Sequence, residues 1–283
     1  MQRNRTQRAD LGARALNELA LFAGAGGGLL ASRLLGWQTV CAVEFDPYAR
    51  DVLLARQNDG CLEPFPIWDD VRTFDGRAWR GVVDVVSGGF PCQDISAAGQ
   101  GAGIEGEKSG LWSEMARIIR EVRPHYAFIE NSPMLTSRGF DRVLCDLAEM
   151  GFDAEWGVIG AHHTGAPHKR DRIWIVACDA NRYSESVVSV YDETSRLPCV
   201  DSDADRAQCK GRRLPIGTQS EHADACGASW WQTEPDLGRV ANGVASRVDR
   251  LRCIGNGQVP AVAALAWRTL IKRKVSERIK EKG

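Results

Sequence analysis

The sequence predicts an α/β fold with a mostly parallel, doubly wound sheet. Up to Cys178, short apolar segments alternate with helical segments of about 10–15 residues, as in consecutive βαβ units. A cluster of glycines also follows the first apolar segment, at the kind of strand end where open α/β sheets bind their ligands. These two observations decide the fold class.

The elements are predicted in order along the chain. The apolar segment ELALF forms the first strand, a helix at 29–35 ends at Gly36, and a second strand covers 40–45. The later elements are a strand at 82–90, a helix at 111–123, a strand at 125–131, a helix at 140–151, strands near 154–160 and 172–178, and a helix from Val259. The last helix has enough apolar residues to dock on the sheet.

Four parts are predicted along the chain. Residues 1–16 are polar, rich in arginine and aperiodic, so we expect a flexible arm. Residues 17–178 carry the α/β pattern. Residues 179–238 lose it and form an insert rich in polar residues, of a kind usually kept for function. Residues 239–283 return to the α/β domain.

The composition is ordinary for a globular protein, with 43% hydrophobic and 26% charged residues. The net charge of −1 does not by itself indicate a nucleic-acid partner, although basic residues cluster at 206–213, 247–252 and 272–282, where a solvated face is the alternative. No apolar run approaches roughly 18 residues, and the first residues lack the apolar core of a signal peptide. We therefore expect a cytoplasmic protein without a membrane anchor.

The cysteines give no sign of a metal site. There are nine, far apart in the sequence, and no two form a CxxC pair. This spacing argues against zinc and against a disulfide framework, so we expect no metal and mostly small buried thiols.

The glycine cluster in LFAGAGGGLL, at 21–30, lets the backbone approach a ligand closely. Glu44, 20 residues after Gly24, could take ribose hydroxyls from the end of the second strand. The GxGxxG pattern would need a glycine where Leu29 stands, which disfavours a dehydrogenase. A nucleoside ligand without phosphates fits better, and a generic glycine turn is the alternative.

Two further strand ends carry reactive side chains. Cys92, in GGFPCQDIS, lies just past the strand at 82–90, where a thiolate would be a competent nucleophile; the alternative is an inert loop cysteine. Glu130, in AFIENSP, could protonate a ring nitrogen at the same sheet edge, or else cap the next segment.

Two arginines stand before the strand at 172–178. Arg170 and Arg172 share one side of an extended chain and could bind an anionic group bidentately. The alternative is a surface ion pair with Asp171.

Six blocks follow one another in the order FAGAGG, VEFD, GFPCQ, ENS, RDR and GNGQVP. In this order and spacing the chain closely resembles the DNA cytosine-C5 methyltransferase family of bacterial and phage type. The resemblance covers about 18–267, and only 179–238 lacks shared motifs. It implies a Rossmann-like, S-adenosylmethionine-dependent methyltransferase fold with a small target-recognition insert, which methylates C5 of a flipped cytosine in a specific duplex DNA sequence.

The resemblance implies a role for each reactive residue. Cys92 would add to C6 of the cytosine, and Glu130 would contact N3 and the exocyclic amine. Arg172 would hold O2 of the base, and Arg170 would support Arg172.

The resemblance also implies a set of cofactor contacts. The loop after the first strand would hold the methionine part, Glu44 the ribose hydroxyls and Phe45 the adenine face, while Asp70 and Val71 would meet the adenine edge. The residues implied to hold S-adenosylmethionine are Phe22, Gly24, Gly26, Gly27, Glu44, Phe45, Asp70, Val71, Pro91 and Asn256.

DNA contacts are expected in two places. The loop at 93–108 would close around the flipped base, and the short insert would recognise the target sequence. The expected DNA contacts are Gln93, Ser96, Arg206, Arg212 and Arg213, with Trp230 or Trp231.

Three positions depart from the family pattern: ENS replaces the commoner ENV, His168 stands where glutamine is usual, and Ala20 replaces an acid found in many relatives. None removes a reacting group. A tRNA cytosine-C5 methyltransferase and a catalytically silent DNA-binding protein remain as alternatives, the second disfavoured by the intact reactive residues. We expect a monomer in a bacterial or phage-infected cell, and a companion restriction nuclease stays open.

Overall fold

The computed structural model describes residues 15–91, 111–180, 182 and 246–282, and these fold into one sheet with helices on both faces. The strands are Asn17–Leu21 (β1), Gln38–Val43 (β2), Ile67–Trp68 (β3), Val85–Gly89 (β4), Tyr126–Asn131 (β5), Phe152–Ile159 (β6) and Arg172–Asp179 (β7). The helices are Gly27–Leu34 (α1), Pro47–Asn58 (α2), Leu111–Val122 (α3), Phe140–Glu149 (α4), Arg247–Asn256 (α5) and Pro260–Lys282 (α6).

The strand order within the described residues is β3-β2-β1-β4-β5-β7-β6. Strands β1 to β5 pair in parallel, whereas β7 is antiparallel to both β5 and β6. The chain runs outward from β1 to β2 and β3, then returns to the other side of β1 for β4. A crevice therefore opens at the carboxyl ends of β1 and β4, where doubly wound sheets bind ligands. The predicted fold class is confirmed.

Alternation along β1 divides its side chains between the two faces of the sheet. Leu19 and Leu21 join the core that α3 and α4 cover, and Ala20 packs beside Leu29 of α1 and Leu53 of α2 on the other face. This period of two is what the pleat of a strand imposes. The sheet is therefore buried on both sides, as an apolar parallel sheet requires.

Helix α6 fixes the end of the chain to the sheet. Its Trp267 lies edge-on to Trp37 at 4.6 Å between ring centroids, and to Tyr126 and Phe128 at 5.3 and 5.4 Å. Aromatic pairs in this geometry add to the roughly 1.5–3 kcal/mol that burial of a large apolar side chain contributes. The docking expected for the final helix is thus observed.

Some boundaries differ from the sequence prediction. Strand β2 ends at Val43 instead of 45, so Glu44 and Phe45 lie beyond the strand, in the loop that starts α2. The sequence does not predict helix α2, because only its Ala49 and Leu53 are buried and the apolar period is therefore weak. Helix α5, also unassigned, has no buried residue. Most of the predicted insert lies outside the described residues, so the division into domains stays a prediction.

Candidate active site

A cleft of about 420 Å³, which includes space open to solvent, lies at the carboxyl ends of β1, β4 and β5. Its floor is formed by strand ends, and the link between α5 and α6 closes one side. The residues that line it are Ala20, Leu21, Phe22, Ala23, Gly24, Gly28, Leu29, Ser87, Gly88, Gly89, Glu130, Asn256, Gly257 and Gln258.

The loop after β1 curls tightly before α1 begins. Phe22, Gly24 and Gly26 all have positive φ, at 53°, 54° and 91°, a conformation that glycine adopts without strain. The Ala23 amide donates to the Val43 carbonyl oxygen at 3.1 Å, which ties the loop to β2. Of the predicted contacts, Phe22 and Gly24 line the cleft, whereas Gly26 caps the start of α1.

Glu44 closes the same loop from the end of β2. Its Oε2 accepts from the Gly24 amide at 2.6 Å and its Oε1 from the Asp46 amide at 2.8 Å. Burial raises the pKa of this carboxyl, and the two backbone hydrogen bonds oppose the rise. Each oxygen keeps a lone pair for a further donor.

The predicted adenine contacts follow β2 and β3. Phe45 is 66% exposed, and the Arg72 guanidinium lies 5.5 Å from its ring centroid. Asp70 forms an ion pair with Arg72 at 2.9 Å, and the hydrogen bond from that side chain lowers the pKa of Asp70. The Val71 side chain is buried in the core, so only its backbone could reach a ligand.

Glu130, the second carboxyl of the site, is the next-to-last residue of β5, with a side chain only 11% exposed. Its Oε1 pairs with Arg172 Nε at 3.0 Å, and its Oε2 accepts from Gln258 Nε2 at 3.4 Å. Burial raises the pKa of Glu130, and the Arg172 charge opposes the rise. An ion pair with Asp171 was the alternative for these arginines. The Arg172 side chain instead pairs with Glu130, and it donates to the Asp171 backbone carbonyl oxygen at 2.8 Å.

The end of β4 leads the chain to the same edge. Gly89 pairs with Glu130 in the parallel ladder, and Asn131 Nδ2 donates to the Phe90 carbonyl oxygen at 3.0 Å. The chain therefore reaches Pro91 beside Glu130. Cys92 is the next residue, and it lies outside the described part of the chain.

Arg170 contacts the end of α5. Its Nη2 donates to the carbonyl oxygens of Ile254 at 3.3 Å, Gly255 at 2.8 Å and Gly257, at the end of α5. Burial lowers the pKa of Arg170, and the Arg172 charge lowers it further. Carbonyls at a helix C-terminus lack partners within the helix, so a guanidinium satisfies them well. Arg170 thus holds the segment that carries Asn256, which lines the cleft.

Two contributors were missed by the sequence analysis. The resemblance implies that Asn256 and its neighbours in GNGQVP close the cofactor pocket, but it predicts no contact between Gln258 and Glu130. Gly89, in GGF, has no predicted role. A Cβ on Gly89 would overlap Glu130 Oε2, and a Cβ on Gly27 would overlap the Gln258 carbonyl oxygen. Only a glycine in each place admits these neighbours, and the local pattern did not reveal that.

Several predicted residues are not described. Cys92, Gln93 and Ser96, as well as Arg206, Arg212, Arg213, Trp230 and Trp231, lie outside the described residues, and their roles stay predictions. Within the described ranges, no three His, Cys, Asp or Glu side chains come together as a metal site.

Comparisons with known proteins agree with the sequence motifs. The family model for C-5 cytosine-specific DNA methylase matches residues 16–208. The chain is 31% identical over 172 residues to Type II methyltransferase M.CviJI of Paramecium bursaria Chlorella virus IL3A, a match that covers 60% of this chain and 45% of that protein. It is 34% identical over 178 residues to Type II methyltransferase M.PspPI of Psychrobacter sp. (strain TA137), over 61% of this chain and 42% of that protein.

The chain spans less than half the length of these two relatives. A solved Dnmt2 methyltransferase of S. pombe superposes with a TM-score of 0.47 at 19% identity, over 70% of this chain and 57% of that one.

Proposed function

Because this chain belongs to the C-5 cytosine-specific DNA methylase family, we propose that it transfers a methyl group to C5 of cytosine in double-stranded DNA. The observation that carries the proposal is the ion pair between buried Glu130, which lines the cleft, and partly exposed Arg172, beside the strand that leads through Pro91 to Cys92. A carboxyl beside a guanidinium can recognise N3 and O2 of one cytosine edge together.

The cleft fits S-adenosylmethionine as the cofactor. None of the described residues that line it is Lys or Arg, which suits a nucleoside without phosphates. Glu44 offers acceptors for ribose hydroxyls, and the exposed ring of Phe45 offers a face for adenine. When bound, the cofactor supplies the methyl group. The residues that would hold it are Phe22, Gly24, Gly26, Gly27, Glu44, Phe45, Asp70, Val71, Pro91 and Asn256.

The chain's own residues would act on the base. The Cys92 thiolate forms a bond to C6, and the ring electrons move to N3, where Glu130 gives up its proton. C5 of the resulting enamine would then be ready to accept a methyl group from the bound cofactor. Loss of the C5 proton to a base lets the C6–S bond break, which restores the C5=C6 double bond and releases the Cys92 thiolate, and N3 returns its proton to Glu130. Because burial raises its pKa, Glu130 keeps its proton to higher pH than an exposed carboxyl would.

Trapping with 5-fluorocytosine tests the proposal. A duplex that carries this base should form a covalent complex in the presence of cofactor, since fluorine cannot leave as a cation in the elimination step. Cys92→Ala should give no complex and no methylation, yet bind the cofactor nearly normally. The matched control is Cys145→Ala, because Cys145 is exposed on α4, away from the cleft.

Label transferred to tRNA and not to duplex DNA would contradict the DNA assignment. Methylation by Cys92→Ala near the normal rate would contradict the mechanism. Bisulfite sequencing of DNA from cells that express the chain should show the modified cytosines.

We propose that the insert at 179–238 selects the target sequence, since no contact proposed above with the cofactor or with the flipped cytosine falls within it. Exchange of the insert for that of a relative with another target should change which sequence is methylated; an unchanged target would contradict this role. We also propose a monomer in a bacterial or phage-infected cell, whose sedimentation should not change with concentration. None of the helices in the part that the structure describes combines the length and apolar character of a membrane span.

A further inference from the structure

Gln258 lies in the short link between α5 and α6, and its backbone is held on both sides. On one side, the Gly257 amide donates to the Cys253 carbonyl oxygen at 2.9 Å. On the other, the Val259 carbonyl oxygen accepts the first amides of α6, and Val259 packs against the core under that helix. Arg170 also donates hydrogen bonds to the carbonyl oxygens just before Gln258. The side chain therefore starts from a fixed point.

Three glycines make room for this residue. The Gln258 carbonyl oxygen occupies the space that a Cβ on Gly27 would need, and its side-chain Oε1 lies 2.7 Å from the position of a Cβ on Gly28. Its Nε2 lies 3.2 Å from the position of a Cβ on Gly89. A side chain at Gly27 would collide with the Gln258 backbone, and one at Gly28 or Gly89 would crowd its side chain, so Gln258 fits between the glycine loop and the end of β4.

The other end of the side chain meets Glu130. The two carboxyl oxygens of Glu130 have separate donors, Arg172 Nε at Oε1 and Gln258 Nε2 at Oε2. A single donor leaves a carboxyl free to turn, whereas two donors on different elements define its plane. Gln258 supplies the second donor from the side of the cleft that faces the glycine loop.

The charges around Glu130 indicate what the second donor does. Among the described residues, those that act on its titration are Arg172 at the start of β7, Arg170 in the loop before it and Gln258. Burial raises the pKa of Glu130, and all three oppose the rise. Loss of the Gln258 donor would leave burial less opposed, so the proton would stay on Glu130 to higher pH.

We propose that Gln258 is a positioning residue, which orients the Glu130 carboxyl and connects it to the glycine loop that follows β1. The inference rests on the function proposed above, in which Glu130 gives its proton to N3 of the cytosine. In this role Gln258 acts through Glu130 and does not itself contact the cytosine. Its amide donates to the carboxyl, while its backbone lies against Gly27 in the loop on the opposite side of the cleft.

The test is the pH dependence of single-turnover methyl transfer to duplex DNA at saturating cofactor. Gln258→Met keeps the length of the side chain and removes the donor. We expect a rate about 10-fold lower, roughly the upper end of what a single intramolecular hydrogen bond contributes. Because protonated Glu130 is the active form, the limb where the rate falls with rising pH should move to higher pH. The cofactor KM should change less than kcat.

Gln258→Glu is the second variant, because a carboxyl beside Glu130 also raises its pKa and should move the same limb in the same direction with a larger loss of rate. If circular dichroism shows that Gln258→Met does not fold, Gln258→Glu tests the positioning role in its place. The matched control is Gln57→Met. Gln57 lies on α2, away from Glu130, and is also partly buried. Its Nε2 donates to the Phe65 carbonyl oxygen at 3.0 Å. The control should keep the normal rate and pH profile.

An unmoved limb, a limb at lower pH, or a rise in cofactor KM alone in the Gln258 variants would overturn the positioning role. Absence of cytosine methylation by the unmodified chain would instead overturn the proposed function, so the two failures are distinguishable.

Discussion

Glu44 and Glu130 show how one residue type serves two purposes at the same sheet edge. Both carboxyls are largely withdrawn from water, and burial raises the pKa of each. Within the described residues, the hydrogen bonds that Glu44 accepts come from the Gly24 and Asp46 backbone amides, so its remaining lone pairs suit hydroxyl donors. Glu130 instead faces the guanidinium of Arg172 and a side-chain amide. The partners, and not the residue type, separate a ligand-binding carboxyl from a proton-donating one.

At this scale we predict that Glu44→Ala weakens cofactor binding. The ribose contacts proposed for Glu44 exist in both the ground state and the transition state, so their loss should raise the cofactor KM roughly 10-fold or more and change kcat little. Initial-rate kinetics with duplex DNA measure both constants. Glu63→Ala is the control, because Glu63 is exposed between α2 and β3. A collapse of kcat at saturating cofactor would place Glu44 among the reacting groups instead.

At the scale of elements, the direction of β7 brings the base-binding groups together. An antiparallel strand starts where its parallel neighbours end, so the first residue of β7, Arg172, comes beside the last residues of β5. In a fully parallel sheet Arg172 would stand at the opposite edge from Glu130. The loop before β7 also carries Arg170, which reaches the end of α5 and holds it over the cleft.

Strand β4 contributes Gly89, whose lack of a side chain leaves room for the Glu130 carboxyl. We predict that Gly89→Ala displaces the Glu130 carboxyl, because the new Cβ would overlap Oε2. The rate of methyl transfer should fall at least about 10-fold, while cofactor KM changes less. Gly157→Ala in β6 is the matched control, since its Cβ would make only ordinary contacts, the nearest at 3.5 Å. Equal rates for the two variants would show that Glu130 tolerates the shift.

At the scale of the whole molecule, one buried carboxyl connects several elements. Glu18, on β1, is 1% exposed and lies far from bulk water. Hydroxyls from three elements donate to it: Ser32 at 2.7 Å, Thr39 at 2.8 Å and Ser87 at 2.6 Å. Burial raises its pKa and these hydrogen bonds oppose the rise. The carboxyl thus joins α1, β2 and β4 at the base of the cleft.

This burial predicts a pH dependence of the free energy of unfolding. A carboxyl whose folded pKa is raised binds more protons in the folded state, so stability should fall as pH rises from the unfolded pKa toward the folded one. Glu18→Gln removes one such group, and its stability relative to the unmodified chain should improve as pH rises. Urea unfolding at several pH values measures this. Glu44 and Glu130 have the same sign, so the curve should flatten only in part.

A constant difference between Glu18→Gln and the unmodified chain across that pH range would show that Glu18 does not titrate during unfolding. Glu63→Gln, at an exposed position, gives the reference curve.

The sequence by itself determined the features that depend on neighbouring residues. Alternation of apolar and helical segments gave the fold class, and the order of the six blocks predicted the family and placed Glu44 and Glu130 at strand ends. These features are local, because a strand, a turn or a glycine loop is specified within about ten residues. Helices α2 and α5 were not predicted, because α2 has a weak apolar period and α5 has no buried residue, so neither gives a clear local pattern.

Only the tertiary structure decided which distant residues meet. Gln258 and Glu130 are 128 positions apart, and Arg170 and Gly255 are 85 apart. Their contacts depend on the direction of β7 and on the way α6 docks through Trp267, neither of which is encoded in a local period. Spacing along an extended chain predicted that Arg170 and Arg172 share one side, yet the positive φ of 42° at Arg170 departs from extended geometry, and its guanidinium reaches the end of α5.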